Sequence, residues 1–200
     1  VLVSVKPQDL KNVLSVIKDE CKNKLVISIC AGKTIATIQE DLPTGVAIAR
    51  VNPNTPALVG EGATGIAFND FVDKKHKDFV INLFSSLGIV KEFPEKLMNS
   101  VTGLAGSGPA FVFMIIEAMA DGGVLAGLPR EESMKFAAQT VLGAAKMVLS
   151  TNDHPGVLKD KVASPGGTTI EGISVLERSG MRSAMIDAIY NAVLKADKLN

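Results

Sequence analysis

The sequence predicts an α/β domain followed by an all-helical one, and three features carry that prediction. Short apolar runs alternate with amphipathic stretches up to Phe93, strand signals vanish after Pro94, and the remainder carries only helical spacing and helix punctuation. A βαβαβ alternation calls for a parallel sheet, because its crossover helices cover both faces. The expected division is residues 1–94 and residues 95–200.

Val1–Val5 reads as a buried strand that stops at Lys6-Pro7, where proline restrains its neighbour and offers no N–H. It has no preceding cap or loop, so the chain is expected to lack its beginning. Gln8–Glu20 places Leu10, Val13, Leu14 and Ile17 on one helical face. Lys24–Cys30 is a second buried-type strand, halted by Ala31-Gly32; Thr34–Leu42 is a short helix and Val46–Val51 a third strand. ATGIAF at 63–68 is strand-like, and Asp73–Gly88 is a helix with Phe79, Val80, Leu83, Phe84 and Leu87 on its apolar side. Ile89–Phe93 completes the strands. Glu95–Leu128 is one long helix or two abutting ones, with Pro109 at a kink or a first helical position. Pro129–Ser150 opens on proline and first-turn acids, and helices are expected again at Pro155–Val162, Thr168–Glu177 and Met181–Leu199.

Composition excludes several classes. Lys+Arg and Asp+Glu both number 21, with one Tyr and no Trp, so neither a basic field nor a stacking platform suggests nucleic acid. Cys21 and Cys30 form no CxxC pattern, which fits a reducing cytoplasm without a disulfide. Residues 97–116 carry no charge over a membrane-spanning length. Asn99, Ser100, Thr102 and Ser107 dilute that run, Pro109 interrupts it, and Glu117 and Asp121 follow. A buried helix of a soluble protein is expected there.

Four motifs need weighing. GEGATG at 60–65 matches GxGxxG, yet it follows a turn-rich NPNTPALV and precedes a strand-like run, so no helix N-terminus is available for a pyrophosphate. It is read as a glycine-rich turn. GLAGSGPA at 103–110 suits close backbone packing or a tight loop aimed at a ligand. His154 lacks a second ligand at metal spacing, so no metal is expected. ASPGGTTIEG at 163–172 supplies hydroxyls and N–H donors at a helix mouth, where the dipole favours an anion. Thr168 as N-cap, with Glu171 closing a capping box, explains part of it; an anion cradle explains the extra glycines and hydroxyls.

VKP (5–7), VTGLAGSGPAF (101–111), DGGVLAGLPR (121–130), AAQTVLGAAKMV (137–148), HPGVLKD (154–160) and SPGGTTIEG (164–172) together resemble pyrroline-5-carboxylate reductase, in matching order along the chain. The resemblance implies NADPH- or NADH-dependent reduction of 1-pyrroline-5-carboxylate to L-proline in the cytoplasm. It also implies a fold: the C-terminal half of a Rossmann-type domain over residues 1–94, then an all-helical substrate-binding and dimerisation domain over 95–200. A homodimer through the helical part, and larger rings, follow from the same likeness. The first βαβ units, with the glycine-rich loop, are expected to precede Val1, roughly sixty residues at about 30 per unit.

Residue by residue, the resemblance puts Val5 and Lys6 on the nicotinamide–ribose side of the cofactor and makes Ala31 another cofactor contact, with Asn54 on the cofactor side and Lys161 where the family can touch the nucleotide. Glu95 becomes a substrate-side acid. Thr168 and Thr169 hold the substrate, Ser164 and Gly167 shape that loop, and Thr169 is the catalytic hydroxyl. Asn152 and Asp153 stand where the family has a Glu, so neither takes a role. Two rivals remain: a chain that only dimerises through its helices, and a related dehydrogenase that needs a lysine in the long helix. Lys96 opens that helix and none follows at 97–128, which counts against the second.

Overall fold

In the computed structural model, which describes residues 1–198, the chain forms two compact units. One comprises Val1–Pro109 together with the chain from Ala188 on; the other is Ala110–Asp187. The strands end where the sequence changes character, near Pro94, whereas the units part within two helices further along.

The first unit holds a five-stranded sheet in the order β1-β2-β3-β4-β5. Its strands are β1 (Leu2–Val3), β2 (Leu25–Ser28), β3 (Ala47–Asn52), β4 (Gly62–Phe68) and β5 (Gly88–Glu92). Helices α1 (Leu10–Ile17), α2 (Ile35–Glu40) and α3 (Lys74–Ser85) make the crossovers. β1, β2 and β3 run parallel, as do β4 and β5, but β3 and β4 are antiparallel. The parallel sheet expected from the βαβαβ alternation holds across β1–β3 and again between β4 and β5, and the β3–β4 pair is the exception. Only residues 53–61 join β3 to β4, fewer than the dozen or so that a parallel crossover needs. The first strand and helix are also shorter than expected, and the end of the predicted helix is a 3-10 turn, Lys18–Cys21.

Alternation along the strands fills both faces. Val26, Ile48 and Ala67 pack with Leu10, Leu14, Ile35 and Ile38 under α1 and α2. Leu25, Ile27, Ala49, Val51 and Ile66 pack with Val80 and Phe84 of α3. Successive side chains point to opposite faces, so runs such as LVIS are apolar throughout because both faces are covered. At the start of β5, Gly88 has φ +138° and faces Gly62 so closely that a Cβ would lie 2.1 Å from the Gly62 carbonyl oxygen. Only glycine fits that crossing.

GEGATG is a turn and a strand start: Gly60 closes a 3-10 turn (Thr55–Val59) in the left-handed region and Gly62 opens β4. The predicted long helix is a composite. A 3-10 turn (Glu95–Leu97) leads into α4 (Met98–Val101), a π-helical segment (Thr102–Gly106) and α5 (Gly108–Leu125). Gly103 is the packing glycine of GLAGSGPA, since a Cβ there would lie 2.4 Å from Val193 Cγ2 on α9 (Met181–Asp197). Gly106 and Gly108 have no such crowding.

The second unit contains most of α5, α6 (Arg130–Thr151), α7 (Pro155–Val162), α8 (Thr168–Arg178) and the first part of α9. Leu199, the end of the predicted last helix, lies outside the described residues. α5 and α6 meet through small side chains, with Ser133 Oγ donating to the Ala120 carbonyl at 2.6 Å. Among the described residues of this unit only Ala120, Ser133 and Ala137 are buried, while Phe113, Met114, Phe136, Leu142 and Leu149 are exposed. The run expected to be a buried helix is therefore mostly uncovered: Glu95–Leu125 is long and apolar enough to cross a membrane, with 11% of its most apolar window buried.

Candidate active site

The parallel strands β1, β2 and β3 end at one edge of the sheet, the edge at which open α/β sheets hold ligands. Val5 and Lys6 follow β1, Ala31 follows β2, and Asn54 follows β3. The first two loops are tied together: the Cys30 thiol donates to the Val5 carbonyl at 3.2 Å, and Cys30 N donates to Ser28 Oγ at 3.3 Å. Lys6 and Ala31 are exposed beside that tie. Gly32 takes φ +70°, and Thr34 caps α2 by accepting from Thr37 N at 3.1 Å.

Two residues at this edge have partners that sequence reasoning did not anticipate. The Asn54 amide donates to the Ala105 carbonyl at 3.0 Å and accepts from Ala63 N at 2.9 Å, so it joins the end of β3 to the π-helical segment and to β4. Glu95 Oε1 accepts from Ile35 N at 2.6 Å and from Arg50 Nη1 at 3.2 Å. Arg50 went unnoticed in the sequence, although a guanidinium within the apolar strand AIARVN is itself a signal that a partner is waiting. Its Nη2 donates to Asn99 Oδ1 at 3.2 Å, and Asn52 Nδ2 donates to Thr102 Oγ1 at 2.9 Å.

In the helical unit, the stretch between α7 and α8 gathers Ser164, Gly167, Thr168 and Thr169. The N-cap of α8 is Gly167, and Thr168 is its first helical residue. The capping box expected from Thr168 and Glu171 is thus absent. The Gly167 backbone is extended (ψ 169°), and with no side chain at the cap, none shields the first-turn N–H groups of Thr168 and Thr169. The Gly167 N–H itself closes a turn on the Ser164 carbonyl at 3.1 Å, and a Cβ on Gly167 would strike Ser164 Oγ at 2.3 Å. Gly166 sits at φ +66°. The loop is shaped by its glycines, with Thr169 half-buried in the first turn.

Lys161 pairs with Asp153 at 2.7 Å on the exposed side of α7. His154 is the N-cap of that helix, its Nδ1 accepting from Gly156 N at 3.1 Å. Among the described residues no His, Cys, Asp and Glu cluster is arranged to hold a metal ion.

Residues 95–199 match the family described as pyrroline-5-carboxylate reductase dimerisation. The chain is 50% identical over 198 residues to the pyrroline-5-carboxylate reductase of Synechocystis, covering 99% of this chain and 74% of that protein. It is 46% identical over 201 residues to the Escherichia coli protein of the same name, covering 100% of this chain and 75% of that protein. Among solved structures it superposes on Plasmodium falciparum pyrroline carboxylate reductase with NADP bound at TM-score 0.92 and 37% identity, over 99% of this chain and 80% of that one.

Proposed function

The chain belongs to the pyrroline-5-carboxylate reductase family, and on that footing we propose that it reduces 1-pyrroline-5-carboxylate to L-proline, the last step of proline synthesis, using NADPH or NADH. The observation that carries the site assignment is the mouth of α8: a glycine N-cap, free of any side chain, followed by two threonines. Division of labour follows the sequence, with residues 1–94 serving the dinucleotide and 95–200 the substrate and dimerisation.

The residues fit a dinucleotide at the carboxyl edge of β1–β3, where Val5, Lys6 and Ala31 line two tied loops and Gly32 lets the backbone turn tightly. Bound there, the nicotinamide supplies the hydride. In the helical unit, the N–H groups of Thr168 and Thr169, at the positive end of the α8 dipole, hold the substrate carboxylate. The Gly167 N–H is not among them, because it already donates to Ser164. Thr169 Oγ1 accepts from the protonated ring nitrogen and fixes which face of the imine carbon receives hydride. An imine that arrives protonated needs no further acid from the protein, in keeping with the absence of a histidine in this loop. Pinning a small rigid ring at both carboxylate and nitrogen is the kind of positioning that raises effective concentration.

The helical unit buries so few of its own apolar side chains that it needs a partner, and a second copy of this chain provides the matching surface. The two free cysteines, Cys21 and Cys30, support placement in the reducing cytoplasm.

The test is NADPH oxidation on adding 1-pyrroline-5-carboxylate to the purified chain, alongside NADPH titration. Saturable cofactor binding with turnover supports the proposal. A chain that dimerises but binds no NADPH is instead a helical dimerisation module.

A further inference from the structure

We propose that Arg50 is a positioning residue for the dinucleotide-side loop between β2 and α2, acting through the Glu95 carboxylate. The proposal rests on the nucleotide reading of that sheet edge. Arg50 lies in β3, in register with Ser28 of β2 and Ala67 of β4, and is 5% exposed. A guanidinium buried among apolar strands is tolerated only when its donors are taken. Nη1 reaches Glu95 Oε1 and Nη2 reaches Asn99 Oδ1, both at 3.2 Å, and Asn99 Nδ2 in turn donates to Asp197 Oδ1 at 2.8 Å.

The same Glu95 oxygen accepts from Ile35 N at 2.6 Å. Ile35 is the first residue of α2, and its N–H is one of those a helix leaves without an internal partner. A carboxylate there also meets the positive end of the helix dipole. The turn Ala31–Lys33, exposed at Ala31 and half-buried after it, is therefore pinned on both sides. Cys30, bonded to Val5 and Ser28, holds its start; Glu95 and the Thr34 cap hold its end.

A helix of six residues cannot keep its own first turn in place, since nucleation is costly. The Glu95 side chain is 34% exposed, so without the guanidinium it is free to turn toward water and release Ile35. The guanidinium carries the geometry and the carboxylate transmits it to the loop.

The experiment measures two quantities on the full chain: hydrogen exchange at the Ile35 amide and the Kd for NADPH. Arg50→Met is expected to speed Ile35 exchange and to raise the NADPH Kd, each by about 10-fold or more, the scale of a lost charged hydrogen bond. Arg50→Lys keeps the charge but cannot span both acceptors, and should fall between wild type and Arg50→Met. Because Arg50 acts through Glu95, the Arg50→Met/Glu95→Gln double variant should be no worse than Glu95→Gln alone in either quantity. Unchanged Ile35 exchange, additive losses in the double variant, or fast exchange with unaltered NADPH affinity would overturn the proposal. If Arg50→Met does not fold, Arg50→Lys and Glu95→Gln carry the same comparison. Failure of the wild-type chain to bind NADPH overturns the functional reading instead, and the exchange measurements still decide whether Arg50 orders the loop.

Discussion

Asn54 donates its side-chain N–H to the carbonyl of Ala105, the carbonyl that a regular α-helix would pair with the N–H of residue 109. Residue 109 is proline and has no N–H to give. The amide from the β3–β4 connection thus reaches the carbonyl at the point where the helix changes from π to α. Because Asn54 also accepts from Ala63 N, replacing it disturbs both a helix and a strand.

Asn54→Ala should therefore lower stability by about 1–3 kcal/mol, the range for leaving a partly buried polar group unpaired. Asn54→Asp should cost at least as much, because its carboxylate would face the Ala105 carbonyl. Urea midpoints of the variants test this, and an unchanged midpoint for Asn54→Ala would show that these two hydrogen bonds add nothing to stability.

Gly88→Ala combines a backbone at φ +138° with a Cβ placed 2.4 Å from Gly62 N. A loss of about 3 kcal/mol or more is expected, since the β4–β5 ladder must open to accommodate it. Gly45→Ala, at φ +86° with nothing within 4 Å, is the comparison and should cost only about 1 kcal/mol. Equal losses at the two sites would show that crowding at Gly62 does not matter.

Thr169→Ala should reduce kcat/KM by about 10²-fold, the size of a positioned hydrogen bond to the reacting group. Thr168→Ala should change kcat/KM far less than Thr169→Ala, because its main contribution is a backbone N–H that alanine retains. Steady-state kinetics on both variants separates the roles; a rate unchanged by Thr169→Ala removes its hydroxyl from the chemistry.

Phe113→Asp should dissociate the homo-oligomer. Phe113, Met114, Ile116 and Met134 line one groove on the helical unit beside Glu117, and Phe113 is 62% exposed. A charge in a contact of that kind must be desolvated without a partner. Sedimentation velocity at several concentrations checks it, and an unaltered oligomer would move the interface elsewhere on the unit.

Burial pushes the Cys21 thiol above its ordinary range, offset in part by the N-terminal amine and Lys24. The raised value favours the protonated thiol in the folded state, so this contribution to stability is present at neutral pH. It declines as the pH rises past the usual thiol value of about 8.5. At pH 8 Cys21 should resist thiol reagents in the native chain and react promptly in urea. Prompt native-state labelling would show that its surroundings open.

Much of the secondary structure was legible because it rests on local pattern. The apolar run KLVISIC, the spacing of Leu10, Leu14 and Ile17, and the Pro129 helix start each produced the expected kind of element. Boundaries slipped where a helix tightened into a 3-10 turn at Lys18, and at α8 the helix opens on Thr168 as expected while its cap falls on Gly167 instead of Thr168. The direction of β4 was not legible, because alternation specifies a strand but not its sense. The short link 53–61 held that information, in chain length rather than in composition.

By itself, the sequence determined the order of strands and helices, the family resemblance, and the glycine- and threonine-rich mouth of α8, because each is written in neighbouring residues. Only the tertiary structure decided that Glu95 serves the start of α2, that Asn54 serves a helix carbonyl, and that Gly167 spends its N–H on Ser164. The first two pairings join residues 60 and 51 positions apart, a separation that leaves no period in the chain. What chooses such partners is the need of every buried donor and acceptor for a mate, a condition that arises only once the sheet has brought them together.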